Sequence, residues 1–171
     1  MLNQLILKRL DTEERKLGAS LDYLRHIMRT SFTAFFKFFL FTPMSNHRKA
    51  LAPAPFHVAR IVATRHEDCG TCVQIAVNLA RRDRVEAETL RAVLNRRPES
   101  LTPQLADVYH FTQAVVEASG EEENYRERLE KLYGERGMVE LALAIASARV
   151  YPTVKRTLGY AKSCSLVTVD V

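Results

Sequence analysis

Apolar residues recur at intervals of three and four positions along most of this chain, and this spacing restricts the possible fold more than any other feature. A clear example runs through Leu105, Val108, Phe111 and Val115, which share one face of a helix. Prolines and glycines separate such segments, and strand-like alternation is confined to the tail from residue 166, which lacks an evident partner. The sequence therefore predicts an all-α fold.

A chain of 171 residues is near the common size of one domain, so we predict a single all-helical domain over residues 1–171. Residues 1–45 are its N-terminal helical extension, and the polar, proline-bearing segment 44–55 is the predicted hinge. Thr102 is the predicted N-cap of a helix over residues 104–118. Other helices are predicted at residues 12–29, in a phenylalanine-rich segment ending before Pro43, and at residues 56–64, 68–82, 85–95, 124–133 and 138–148.

Composition and charge restrict the class of protein. Three cysteines are too few for a disulfide framework, and Cys164 is far from the other two and is expected to be a small buried apolar residue. A reducing compartment is favoured and the chain opens without a signal-peptide pattern, so we expect a cytoplasmic location. The net charge of +5 comes with acids among the basic clusters and no aromatic stacking motif, so we expect no nucleic-acid binding.

The most apolar segment, residues 32–41, is about half the length that a membrane span needs, and Lys37 lies in its middle. Phe32, Phe35, Phe36 and Phe39 follow the spacing of one helical face. We therefore expect no membrane span, and we expect this helix to be buried in the core or in an interface between copies of the chain.

Chemistry is indicated where Cys69 and Cys72 lie at the predicted start of helix 68–82. Residues at positions i and i+3 share a helical face, so the two sulfurs can come within disulfide distance. Unpaired N–H groups at a helix start stabilise a thiolate on the first cysteine. Asp68 is the predicted N-cap, and Glu67 is expected to interact with the positive end of the helix dipole. The pattern predicts a reactive dithiol.

A thioredoxin fold would need strands around this motif, and the sequence predicts none there. A zinc site would need a second pair of ligands at comparable spacing, which the sequence lacks, so we predict no metal. A CxxC pair on a helix of an all-helical chain resembles the alkylhydroperoxidase AhpD-like branch of the carboxymuconolactone decarboxylase superfamily. The resemblance covers an AhpD-like core at residues 55–160. It implies an AhpD-like helical bundle, a homotrimer or hexamer, and peroxidase activity without a cofactor.

The resemblance also implies roles for the two cysteines. Cys72 would attack a small-molecule peroxide, and Cys69, the more exposed thiol, would resolve the sulfenic acid into a disulfide that a reducing dithiol partner then opens. The glutamate and histidine of the usual proton relay are replaced here by His57 and Ala76. His57 is therefore the predicted substitute base, since its ordinary pKa lets it accept a proton at neutral pH.

Other side chains near the motif have two interpretations each. His66 either lowers the Cys69 pKa by its charge or is an ordinary surface residue. Gln74 and Asn78 share a helical face, where they either line a pocket beside the cysteines or form an exposed stripe or an interhelix hydrogen bond.

The predicted function is that of a thiol-disulfide oxidoreductase or hydroperoxide reductase. One alternative is a non-catalytic or redox-sensing oligomer, which the replaced relay residues favour. The other is a decarboxylase-like enzyme acting on a small organic acid, which the retained cysteine pair disfavours.

Overall fold

The computed structural model describes residues 2–161 and residue 171, and every regular element in that part of the chain is helical. The predicted all-α class is confirmed. The predictions for Cys164 and for the tail from residue 166 fall outside the described residues, apart from residue 171. The helices are α1 (Leu2–Leu17), α2 (Asp22–Thr30), α3 (Phe32–Phe39), α4 (Phe41–Ser45), α5 (Pro53–His66), α6 (Gly70–Arg82), α7 (Ala87–Leu94), α8 (Pro103–Glu117) and α9 (Glu123–Thr157), with a 3-10 turn at Pro98–Ser100.

The prediction of one helix over residues 12–29 is wrong, because two helices, α1 and α2, cover this range and are separated at Gly18. Gly18 has a φ of +63°, a left-handed conformation that favours glycine and ends a helix. A β-carbon there would also lie 3.1 Å from the side-chain nitrogen of Asn78. The next helix begins after Ser20, whose hydroxyl accepts a hydrogen bond from the Asp22 N–H at 3.1 Å.

The helices predicted at 124–133 and 138–148 are parts of one longer element, α9. Gly134 alone departs from helical geometry inside α9, with a φ of +66° and a ψ of 174°, so the helix is kinked there. Pro152 lies within α9 without ending it. The helix therefore continues well past the predicted end, and its last turns reach the region of the cysteines.

Two hydrophobic clusters hold the helices together. The larger surrounds α5, whose residues from Phe56 to Thr64 are all buried and which packs against α6, α8 and α9. The smaller joins α1, α2 and α3 through residues such as Leu10 and Phe35, and it reaches Tyr151 on α9. Because α9 contributes to both clusters, burial of apolar surface also holds the N-terminal helices against the rest of the chain.

The predicted hinge segment is anchored by a buried carboxylate. Glu140 on α9 accepts hydrogen bonds from the backbone N–H groups of Lys49 at 2.6 Å, Ala50 at 2.9 Å and Leu51 at 2.8 Å. Arg48 donates to the Leu51 carbonyl at 3.1 Å. The bonds to Glu140 join the connection between α4 and α5 to the middle of α9.

The phenylalanine-rich helix α3 has a buried face and an exposed face. Phe35 is buried in the smaller cluster, whereas Phe32, Phe36 and Phe39 are exposed on the single chain. The expected burial in the core is therefore found for Phe35, and the expected interface for the other three stays a prediction. Among the described helices, none combines the length and the apolar character needed to cross a membrane.

Candidate functional site

The two cysteines lie at the first turn of α6, directly after the short loop that follows α5. Cys69 is the N-cap residue, with extended backbone angles, and its carbonyl accepts hydrogen bonds from the N–H groups of Cys72 and Val73, each at 2.9 Å. The Cα atoms of Cys69 and Cys72 are 5.2 Å apart, and their sulfurs lie at disulfide distance. The helix start therefore brings the two sulfurs together, as the spacing predicts.

Two details of the predicted motif are wrong. Asp68 has a φ of +47° and precedes the cap position, which Cys69 takes without a side-chain cap hydrogen bond. Cys69 is not the more exposed thiol, since it is 0% exposed while Cys72 is 7% exposed and lines a cavity. Of the two sulfurs, that of Cys72 is therefore the one placed to meet a molecule in the cavity.

Basic residues near the end of α9 hold the loop that precedes the cysteines. Arg149 donates to the Glu67 carboxylate at 2.6 Å. Arg156 donates to the backbone carbonyl of Glu67 and, at 3.4 Å, to that of Asp68. The Glu67 side chain is only 12% exposed, so its ion pair with Arg149 is better shielded from solvent than most surface pairs. Glu67 therefore connects α9 to the loop.

Lys155 is a residue of the site that the sequence does not reveal. It is 4% exposed, and its ammonium group donates to the Thr71 hydroxyl at 3.0 Å. That hydroxyl oxygen lies 3.6 Å from the sulfur of Cys69. Because an ammonium group only donates, the Thr71 hydroxyl keeps its own proton for the sulfur. Burial lowers the Lys155 pKa below its usual value.

A cavity of about 270 Å³ lies beside Cys72, between the N-terminal helices on one side and α5, α6 and α9 on the other. Its wall is mostly apolar and includes Leu10, Leu21, Phe38 and Ile75. The buried side chains of Arg60 and Lys155 also line it, as does Tyr151. The N-terminal extension therefore forms one wall of the space beside the cysteine pair.

Arg60 projects from the middle of α5 and is 7% exposed. Its guanidinium donates to the Ser45 carbonyl and, at 3.2 Å, to the Asn46 side-chain oxygen, and it lies over the Phe56 ring at 4.7 Å. Burial lowers the Arg60 pKa to about 10, which still leaves the group charged at neutral pH. Its hydrogen bonds reach neutral acceptors, and no salt bridge to it occurs in the described part of the chain.

His57, the predicted base, lies near the start of α5 beside the opposite end of α6. Its Nε2 atom is 3.0 Å from the Asp83 carboxylate, and burial lowers the His57 pKa to about 4. Cys72 and Asp83 are separated by about 16 Å along the helix axis, at 1.5 Å per residue. The structure therefore groups His57 with Asp83 and Arg48, whereas Lys155 is linked to the Cys69 sulfur through the Thr71 hydroxyl.

The other predicted supporting residues lie around α6 without lining the cavity. His66 is exposed at the end of α5. Gln74 donates to the Asn78 side-chain oxygen at 2.9 Å, and Asn78 donates to the Leu17 carbonyl at 2.8 Å. The Asn78 bond to Leu17 is the interhelix hydrogen bond among the interpretations given, and it attaches α1 to α6.

Among residues 2–161 and 171, no cluster of three or more histidine, cysteine, aspartate or glutamate side chains is arranged to hold a metal ion. Comparisons with family models, with curated proteins and with solved structures give no match. The AhpD-like resemblance therefore stays a prediction, and any function has to be proposed from the site itself.

Proposed function

We propose that this protein is a thiol-disulfide oxidoreductase that reduces hydroperoxides, with Cys72 as the attacking thiol and Cys69 as the resolving thiol. The observation that carries the proposal is the position of Cys72, which lines a cavity while its partner sulfur lies at disulfide distance. The AhpD-like resemblance of residues 55–160 points to the same chemistry. The proposed reactive groups are the two cysteines, without a cofactor.

The proposed cycle consists of two displacement reactions. The Cys72 thiolate attacks one peroxide oxygen, the O–O bond breaks, and an alcohol leaves after gaining a proton, so Cys72 becomes a sulfenic acid. The Cys69 thiolate then attacks the Cys72 sulfur, the S–O bond breaks, and the departing hydroxide gains a proton to leave as water while the disulfide forms. The electrons that reduce the peroxide come from the thiols, and an external dithiol returns them by thiol-disulfide exchange.

The charged form of Lys155 supports this proposal because a nearby positive charge favours a thiolate over a thiol. Its hydrogen bond to Thr71 places that charge one hydroxyl group away from Cys69. Burial strengthens the effect, since the surrounding protein screens the charge less than water does. Lys155 therefore takes the electrostatic role that one of the two interpretations of His66 proposes.

We expect Lys155→Met to lower the thiolate fraction of the reduced cysteine pair about ten-fold at neutral pH, because the stabilising charge is lost. Thiolate formation is followed by ultraviolet absorbance against pH in a Cys164→Ser background, which removes the third thiol. Lys131→Met is the matched control, since Lys131 is a surface residue paired with Glu127. Identical titration curves for Lys155→Met and the unaltered protein would refute the electrostatic role.

The proposed activity is tested by peroxide consumption with dithiothreitol as the reductant. We expect the purified chain to consume an organic hydroperoxide with repeated turnover, and Cys164→Ser to consume it at the same rate. No consumption above the rate of dithiothreitol alone would reject the peroxidase proposal.

The enclosure of Cys69 favours a second candidate, a redox sensor. A fully buried sulfur restricts attack by an external dithiol, so the pair would be oxidised once and reduced slowly. A sensor would react with peroxide stoichiometrically and then stop, whereas the peroxidase would continue. The same assay therefore separates the two candidates.

We also propose that the exposed face of α3, formed by Phe32, Phe36 and Phe39, is buried between copies of the chain. Light scattering is expected to give the mass of a trimer or hexamer, and Phe36→Ser is expected to reduce it, because a polar group would be buried at the contact. Val139→Ser, at an exposed apolar position on α9, is the matched control. A monomeric unaltered chain would contradict the proposal.

We also propose that the protein is located in the cytoplasm.

A further inference from the structure

Two buried cations, Arg60 and Lys155, line the cavity beside Cys72. Arg60 donates to uncharged oxygens, and Lys155 donates to a hydroxyl group. A buried charge without a countercharge is unfavourable, and an anion brought to it relieves that cost. Among the described residues, neither of these two buried cations forms an ion pair with a carboxylate, so the cavity carries uncompensated positive charge.

The other charged residues of the cavity do not cancel this excess. Glu13 is the acidic residue of the lining, but its side chain is 40% exposed and pairs with Lys16 at 2.9 Å. Arg82 is exposed and adds another positive charge. Asp83, whose charge acts on Arg60, is already paired with His57 and Arg48. The local charge balance of the cavity is therefore positive.

The size and the wall of the cavity restrict the molecule that would bring this anion. A volume of about 270 Å³ is many times what a single water needs, and it approaches the size of ordinary small-molecule pockets. The apolar wall suits a hydrocarbon body, and small-molecule pockets commonly combine such a wall with a few polar groups that orient the ligand. A short anion such as acetate would leave most of this wall without a contact.

The positions of the charged groups suggest an orientation. Arg60 lies one helical turn before Thr64 on α5, and Thr64 lines the same cavity as Cys72 and Lys155. Arginine presents a planar fork of donors that matches a carboxylate, whereas lysine presents a point charge. Arg60 is therefore the better group to receive a carboxylate, and the hydrocarbon body would extend through the apolar part of the cavity.

We propose that this cavity binds a medium-chain carboxylate, a molecule with one carboxylate group on Arg60 and a hydrocarbon chain of several carbons among the apolar side chains. This inference goes beyond the proposed function, because binding requires neither a peroxide nor an intact disulfide. Together with the proposed function, it implies that the preferred hydroperoxides carry a carboxylate.

The test uses octanoate as the probe, measured by isothermal titration calorimetry on the full chain. We expect octanoate to bind at least about ten-fold more tightly than 1-octanol, which lacks the carboxylate, or acetate, which lacks the hydrocarbon chain. Arg60→Met should weaken octanoate binding about ten-fold to a hundred-fold and leave 1-octanol binding unchanged. Arg81→Met, an exposed residue of α6, is the control for net charge.

The position of bound octanoate is tested separately by alkylation of Cys72 in a Cys69→Ser, Cys164→Ser variant. Bound octanoate should slow the alkylation because it occupies the cavity. Equal affinity for octanoate and 1-octanol, unchanged affinity in Arg60→Met, or unprotected Cys72 would each overturn the proposal. The octanoate and 1-octanol comparison uses the unaltered chain, so it decides the question even if Arg60→Met fails to fold. None of these measurements involves peroxide, so failure of the carboxylate-binding proposal can be distinguished from failure of the redox proposal.

Discussion

Cys72→Ser is expected to reduce peroxide consumption to the uncatalysed rate, because it removes the sulfur that lines the cavity. Cys69→Ser should behave differently, since Cys72 can still attack the peroxide but no thiol is left beside it to form the disulfide. We therefore expect Cys69→Ser to consume one equivalent of peroxide as Cys72 becomes a sulfenic acid, and a second equivalent as that sulfenic acid is oxidised to a sulfinic acid. Steady-state consumption and intact-protein mass measure these outcomes for both variants.

The difference between the two cysteine variants tests the assignment of roles. If Cys69→Ser consumes no peroxide and Cys72→Ser is oxidised at Cys69, the roles are reversed and the cavity is not the entry route. If both variants turn over as fast as the unaltered chain, the pair has no catalytic role. Serine is nearly isosteric with cysteine, and circular dichroism checks that each variant retains its helices.

Glu140→Gln is expected to lower the free energy of unfolding by about 3 kcal/mol, because the buried carboxylate accepts backbone hydrogen bonds with both oxygens. A glutamine replaces one of those oxygens with an NH₂ group, which donates and so faces N–H groups that also donate. Urea denaturation measures the change. Glu130→Gln, at an exposed position on the same helix, is the matched control and should stay within about 0.5 kcal/mol of the unaltered protein.

The stability difference between the unaltered protein and Glu140→Gln should depend on pH. Burial alone would raise the Glu140 pKa, but hydrogen bonds from the N–H groups of Leu51, Ala50 and Lys49 outweigh it and leave the pKa below the usual value. A lowered pKa stabilises the folded state above the ordinary pKa of about 4.5, and this contribution is lost as the pH falls through the folded-state value. A difference that stays constant in acid would contradict the role of the carboxylate charge.

The parts of this structure that the sequence predicts correctly depend on local patterns. Apolar spacing gives the all-α class, and the Thr102 cap is found, with its hydroxyl accepting from the Leu105 N–H at 3.4 Å. The break at Gly18 also has a local signal, since the glycine is followed by Ser20 and Asp22 in a helix-starting pattern. The apolar periodicity across residues 12–29 obscured that signal.

The remaining parts of the site depend on contacts between distant positions. Lys155 reaches Thr71 across 84 positions, and Glu140 reaches Leu51 across 89. Neither residue is distinguished from an ordinary surface charge by its neighbours in the sequence. His57 shows the opposite problem, because the AhpD-like resemblance predicts it beside the cysteines, whereas the packing of α5 on α6 places it beside Asp83.

The most direct test of the proposed chemistry is a single-turnover reaction of the fully reduced protein with one equivalent of an organic hydroperoxide. Peptide mass mapping then identifies which cysteines have changed. We expect rapid formation of a Cys69–Cys72 disulfide, release of one equivalent of the corresponding alcohol, and an unmodified Cys164. Cysteines that remain reduced while the peroxide persists, or a disulfide that involves Cys164, would contradict the proposed chemistry.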